Sequence, residues 1–270
     1  MATSVEFTGV RRLFSIIDWD SRDSFTVTNV SPHQFAKLEQ MREKRKQEMR
    51  VEQIRHKGGR KTRFRDYNSI TQTLLITTPT SLHEKLHRPL YNDFFRQIRN
   101  MGLGASWINM GSRTLAAPQG LKEGDSTGGP SPQRSRGWPT LVIEAVNGTG
   151  IFETMGQSEA SMRQWFSVSN HEVKVVVIAE FRGPNIGLVL QKWEEKKRWN
   201  QERAEPMLTQ CVALTRNPAT DPVTYDVAGG DLILPFQSLF LRDPGPGEGD
   251  LVFSVEDMHE YADNIWQEYL

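Results

Sequence analysis

Apolar residues along this chain follow two periods, and the densest cluster is Trp138-Pro139-Thr140-Leu141-Val142-Ile143-Glu144-Ala145-Val146. Its length, its β-branched content and the Trp-Pro turn signal in front of it predict a fully buried strand. A second run of the same kind is Val173-Lys174-Val175-Val176-Val177-Ile178. Between them a helix is predicted over 158–169, carrying Met162, Trp165 and Phe166. Strand, helix and strand in that order make a βαβ unit. Upstream, Leu82, Leu86, Leu90, Phe94, Ile98 and Met101 recur at helical spacing behind Ser81, a suitable N-cap, so a sheet-packed helix runs from Ser81 to Met101.

The remaining elements are shorter. Tyr67 to Thr78 reads as one strand, Ala105 to Met110 and Ser112 to Ala117 as two more. Pro118 to Gly137, rich in Gly, Pro and Ser, reads as a loop. Ile186 to Trp193 follows a turn and pairs antiparallel, which makes the sheet mixed. Residues 194–205 read as a loop or short helix, followed by strands at Leu208 to Thr215, Val223 to Val227 and Asp231 to Leu234. A Pro/Gly linker, Arg242 to Gly249, precedes a helix from Val255 to Tyr269. At the other end, residues 33–56 form a helix between Ser31-Pro32 and Gly58-Gly59, and residues 1–32 alternate weakly, as in a loosely docked arm with one strand. The expected organisation is an arm and basic helix (1–66), an α/β core with a mixed sheet (67–242), and a linker with an acidic C-terminal helix (243–270).

Composition narrows this only slightly. A chain of 270 residues, 37% hydrophobic and 24% charged, builds one large domain or two small ones with a real core. Lys plus Arg equal Asp plus Glu at 33 each, so net charge names no partner. The single cysteine, Cys211, excludes an internal disulfide. With the absence of a signal-peptide pattern in Met1 to Arg12, it predicts an intracellular protein, cytoplasmic or nuclear. No apolar run reaches the ~18 residues of a membrane span.

Local charge changes the picture more. From Lys37 to Arg65 there are 12 Lys or Arg against 4 Glu, a pattern suited to a polyanion such as nucleic-acid phosphates. Lys44, Arg45, Lys46, Arg60, Lys61 and Arg63 are the candidate contacts. The plainer reading is a solvated helix face laced with Glu/Lys pairs. From Asp243 to Leu270 there are eight acids and no Lys or Arg, which either dock on the basic helix or solvate the chain end.

Two features carry candidate chemistry. Glu144 shares a strand face with Val142 and Val146, and a carboxylate among valines costs several kcal/mol unless it is paired, metal-bound or neutral. With Asp125 in a neighbouring loop and Lys174 at the next strand, it forms a minimal kit for a hard divalent ion, Mg²⁺ or Mn²⁺, that activates water against a phosphodiester. Asp125 is equally an ordinary turn residue, and Lys174 an ordinary strand-edge lysine. The second feature is His83-Glu84-Lys85-Leu86-His87, a match to the zinc-peptidase motif H-E-x-x-H, in which two histidines one turn apart hold the metal and Glu is the base. Its extended form is absent, since Asp93 stands where a further His would, and Pro89 follows immediately.

Several blocks in order, Lys122-Glu123-Gly124-Asp125-Ser126, Trp138 to Glu144, Arg163-Gln164-Trp165-Phe166 and Val173-Lys174-Val175-Val176, resemble a group of uncharacterised fungal proteins assigned to the PD-(D/E)XK, restriction-endonuclease-like nuclease superfamily. The likeness spans roughly 67–268 and continues through Leu190-Gln191-Lys192-Trp193-Glu194 and Leu214-Thr215-Arg216-Asn217-Pro218. It implies a three-layer core and a Mg²⁺-dependent nuclease, with Asp125 and Glu144 in the two acidic metal positions and Glu84 as an extra acid on the first helix. It departs from that superfamily at Val146, where the lysine would stand, and at Ser161, where the helix often carries an acid. Those departures support an alternative: a non-cleaving fold that binds nucleic acid or protein.

Overall fold

In the computed structural model, which describes residues 4–19, 24–53, 63–117, 120–147, 155–197 and 203–268, the two aliphatic runs lie side by side as parallel strands, Leu141 opposite Val175 and Asn147 opposite Phe181. In chain order the elements are β1 (Ser4–Glu6), α1 (Val10–Trp19), β2 (Ser24–Thr28), α2 (Pro32–Gln53), β3 (Arg63–Asn68), β4 (Thr73–Thr77) and α3 (Ser81–Asn100). Then come β5 (Trp107–Asn109), β6 (Thr114–Ala117), β7 (Gly120–Glu123), β8 (Ser126–Pro130), β9 (Leu141–Asn147), α4 (Met155–Val168) and β10 (Val175–Phe181). The last are β11 (Leu188–Lys196), β12 (Glu205–Asn217), β13 (Thr224–Ala228), β14 (Leu232–Leu234), α5 (Phe236–Phe240), β15 (Leu251–Phe253) and α6 (Val255–Trp266). The class is mixed α/β.

The chain forms two compact units. The first comprises Met1–Thr80 with Thr114–Glu123, the second Ser81–Arg113 with Gly124–Leu270. Unit one holds a six-stranded sheet in the order β1-β2-β4-β3-β7-β6. Its N-terminal segment is part of its core rather than a loose arm. Val10, Leu13, Phe14 and Ile17 repeat at helical spacing along α1, and Leu13, Phe14 and Ile17 are buried with Phe25, Val27 and Leu38. The expected single strand at 67–78 is a hairpin of β3 and β4. Its turn is set by Asn68, whose Oδ1 accepts from the amides of Ile70 and Thr71 at 2.9 and 3.0 Å. Within α2, Phe35 stacks on Tyr67 at 3.9 Å between ring centroids.

Unit two holds a seven-stranded sheet in the order β13-β12-β11-β10-β9-β8-β5, in which β9 and β10 form the parallel pair and their neighbours run antiparallel. The helix between them, α4, supplies the crossover that a parallel pair requires. Leu141, Ile143 and Ala145 of β9 belong to one cluster with Leu86, Leu90 and Phe94 of α3 and Tyr261 and Ile265 of α6, so these helices cover one face. Helix α6 starts with a capping box: Ser254 Oγ accepts from the Asp257 amide, and Asp257 accepts from the Ser254 amide, both at 3.1 Å. The acidic C-terminal segment therefore also carries a core-facing apolar stripe.

Two loop expectations give way to strands. Residues 118–137 contain β7 and β8, with a bend at Asp125 between them, and residues 126–130 are wholly buried. Residues 194–205 include the end of β11 and the first residue of β12. The glycines of β8 serve close packing. A Cβ on Gly128 would lie 2.5 Å from Tyr91 Oη and 2.6 Å from Trp107 Nε1, atoms that hydrogen-bond each other at 3.0 Å. Gly128→Ala should therefore cost about 1–3 kcal/mol through displaced aromatic rings, seen as a lower urea midpoint; an unchanged midpoint would mean that the aromatic pair yields freely. Among the described residues, no helix is long and apolar enough to cross a membrane.

Candidate functional site

The stripe that buries α3 also carries its polar chemistry. Leu82, Leu86, Leu90 and Phe94 hold the helix on the sheet, and His83 and His87, one turn apart, fall beside them and are buried to 4% and 1% exposure. The five-residue motif occupies the first turns of the helix, which continues through Pro89 to Asn100. Near that proline, the Tyr261 hydroxyl donates to Leu86 O at 2.5 Å.

Facing these histidines is the bend between β7 and β8. Asp125, 2% exposed, engages both carboxylate oxygens: Oδ1 lies 2.9 Å from His83 Nε2, and Oδ2 accepts from the Ala145 amide at 2.8 Å. The bend thus completes the edge of β9 with a side chain where a strand would offer a carbonyl. Next to it, Ser126 Oγ lies 2.8 Å from His87 Nδ1. The other nitrogen of that ring, Nε2, is buried and makes no hydrogen bond; Glu84 Oε2 stands 3.7 Å away. Burial pushes the His87 imidazole below the ordinary histidine range, against the opposing influence of Glu84 and Asp125. Glu84 also meets the Arg88 guanidinium one turn on.

His83, His87 and Asp125 together present three donor atoms within 4.8 Å of one another. Glu144 is not among them. It alternates with Ile143 and Ala145, which face α3, so its side chain leaves the opposite face of β9. There it is 5% exposed, and Oε1 accepts from Trp165 Nε1 of α4 at 2.7 Å. The structure therefore brings Asp125 to the α3 face and Glu144 to the α4 face. The remaining expected acid, Glu84, reaches His87 and Arg88 rather than Glu144. A hard-oxygen site for Mg²⁺ or Mn²⁺ needs several converging carboxylate or carbonyl oxygens, and Asp125 and Glu144 do not fit one.

Lys174 is placed away from both acids. Register sets it level with Thr140, four residues before the Ile178–Glu144 pair, and its Nζ donates to His171 O at 2.6 Å. Of the basic candidates on α2, Lys44 is exposed, with Glu48 at 3.9 Å, and Arg45 covers the Phe14 ring at 4.5 Å. Arg42, in the same stretch, is buried, 3.4 Å from Glu123 and 4.9 Å from the Phe64 centroid, so this cation serves the core of unit one. Arg60 and Lys61 lie outside the described residues, as do the side chains of Lys46 and Arg63.

Sequence reasoning did not anticipate Ser126 as a histidine partner, Trp165 as the Glu144 donor, or the pairing of the histidine motif with Asp125. The motif itself was visible, but nothing in the spacing of 42 residues from His83 to Asp125 signals contact. Comparison of the chain with protein-family models, curated proteins and solved structures gave no match.

Proposed function

We propose that this chain is a nuclease-like α/β protein that binds nucleic acid through its phosphates and does not cleave it. The observation that carries the reading is the state of the two acids. Asp125 lies on the α3 face beside His83 and the Ala145 amide, and Glu144 is held by the Trp165 indole on the other face. Neither acid is more than 5% exposed. The resemblance to the restriction-endonuclease-like superfamily accounts for acids at these two positions, and Val146 removes the lysine that would accompany them. Affinity would come from the basic stretch 37–65, where Lys44 projects into solvent.

The test is one preparation assayed for binding and turnover. Plasmid and single-stranded DNA incubated with Mg²⁺ or Mn²⁺ should remain intact. Affinity should fall roughly 500-fold between 50 and 200 mM salt if about five phosphates are neutralised. Lys44→Ala should lower the salt slope by about one. Metal-dependent hydrolysis abolished by Glu144→Ala would restore the nuclease reading, and association indifferent to salt would point to a protein partner.

A further inference from the structure

We propose that His83, His87 and Asp125 form a buried binding site for one divalent transition-metal ion of the zinc class. Three observations converge on it. The donor atoms lie within 4.8 Å of one another, and His83 Nε2 is 2.9 Å from Asp125 Oδ1. Donors sharing a tetrahedral zinc ion are separated by about 3.4 Å, given zinc–ligand bonds near 2.1 Å, so small side-chain rotations suffice. His87 Nε2 is buried without a hydrogen bond, in a residue only 1% exposed. Leaving such a nitrogen unsatisfied costs free energy that coordination would recover. Finally, two of the three ligands have an outer partner that orients them. Ser126 Oγ holds His87 Nδ1, and the Ala145 amide holds Asp125 Oδ2, which leaves Oδ1 for the ion.

The donor types select the metal. Two imidazoles and one carboxylate suit Zn²⁺, Co²⁺ or Ni²⁺ far better than Mg²⁺, which prefers oxygen and retains its water. Low exposure of all three residues marks a closed structural site rather than an open catalytic one. Glu84 Oε2, 3.7 Å from His87 Nε2, is a candidate for a fourth position. The site depends on α3 and the Asp125 bend alone, so its failure would leave the nucleic-acid reading untouched.

The experiment takes the full chain, dialysed against a chelator and titrated with Co²⁺ and then Zn²⁺. The expected result is one equivalent bound, the visible absorption of four-coordinate cobalt, its loss on adding zinc, and a higher melting temperature with metal. His87→Gln and Asp125→Asn should each weaken binding by about 100-fold or more. X-ray absorption on zinc-loaded wild type, which needs no variant to fold, should report two imidazoles and oxygen ligation. Folded wild type that binds no cobalt, absorption that survives in both variants, or ligation without imidazole would each overturn the site.

Discussion

Asp125→Ala should lower the stability of unit two by about 3–5 kcal/mol, because it leaves two buried hydrogen-bond partners unsatisfied, each at about 1–3 kcal/mol. The change removes an acceptor from His83 Nε2 and from the Ala145 amide at once, both in places with no solvent to replace it. For a unit of this size that corresponds to roughly a 10 °C fall in melting temperature. Asp125→Asn keeps one carbonyl acceptor and should lose about half as much. The measurement is urea unfolding followed by far-ultraviolet circular dichroism, read as a shift in midpoint at constant slope. A midpoint within about 0.5 kcal/mol of wild type for Asp125→Ala would show that the bend is a solvated turn, and the cluster around it would lose its organising member.

Trp165→Ala should be at least as damaging, at about 4–6 kcal/mol: truncating a buried tryptophan costs about 3–5, and the lost donor to Glu144 adds to it. Trp165 has no exposed surface, its ring meets Trp138 edge-on at 6.1 Å, and its Nε1 lies 2.7 Å from Glu144 Oε1. Trp165→Phe separates the two contributions. It keeps most of the packing and removes the N–H, so a loss of about 1–3 kcal/mol is expected from that hydrogen bond alone. Pairing it with Glu144→Gln in a double-mutant cycle isolates the interaction. If Trp165→Phe unfolds at the wild-type midpoint, the indole is not what tolerates a carboxylate in an aliphatic strand.

Where one physical signal dominated, the sequence was readable. The valine-rich runs of β9 and β10 had to be buried, and the stripe of α3 from Leu82 to Ile98 had one helical solution. Where two signals competed, composition misled. β8 is Ser-Thr-Gly-Gly-Pro, a loop by residue type, yet its glycines are there because Tyr91 and Trp107 leave no room for a Cβ. α1 looked like weak alternation because Phe7 and Ile16 blur the i, i+3, i+4 pattern of Val10, Leu13, Phe14 and Ile17. For the site, local spacing placed His83 and His87 on one face but could not supply Asp125, which arrives through the pairing of β8 with β9. Alternation also placed Glu144 opposite to Ile143 and Ala145; which face α3 would take was a tertiary matter.

Strands β6 and β7 finish the sheet of unit one although they follow α3, which belongs to unit two. Strand β7 pairs Lys122 with Asp66 and Leu121 with Tyr67 along β3. During translation the ribosome therefore delivers twenty residues of a foreign helix before the last edge of the first sheet emerges. A fragment ending at Thr80 would bare β3 as an open template for other chains. Any genetic dissection of this protein has to carry residues 114–123 along with residues 1–80, by permutation or by grafting, for β3 to keep its partner.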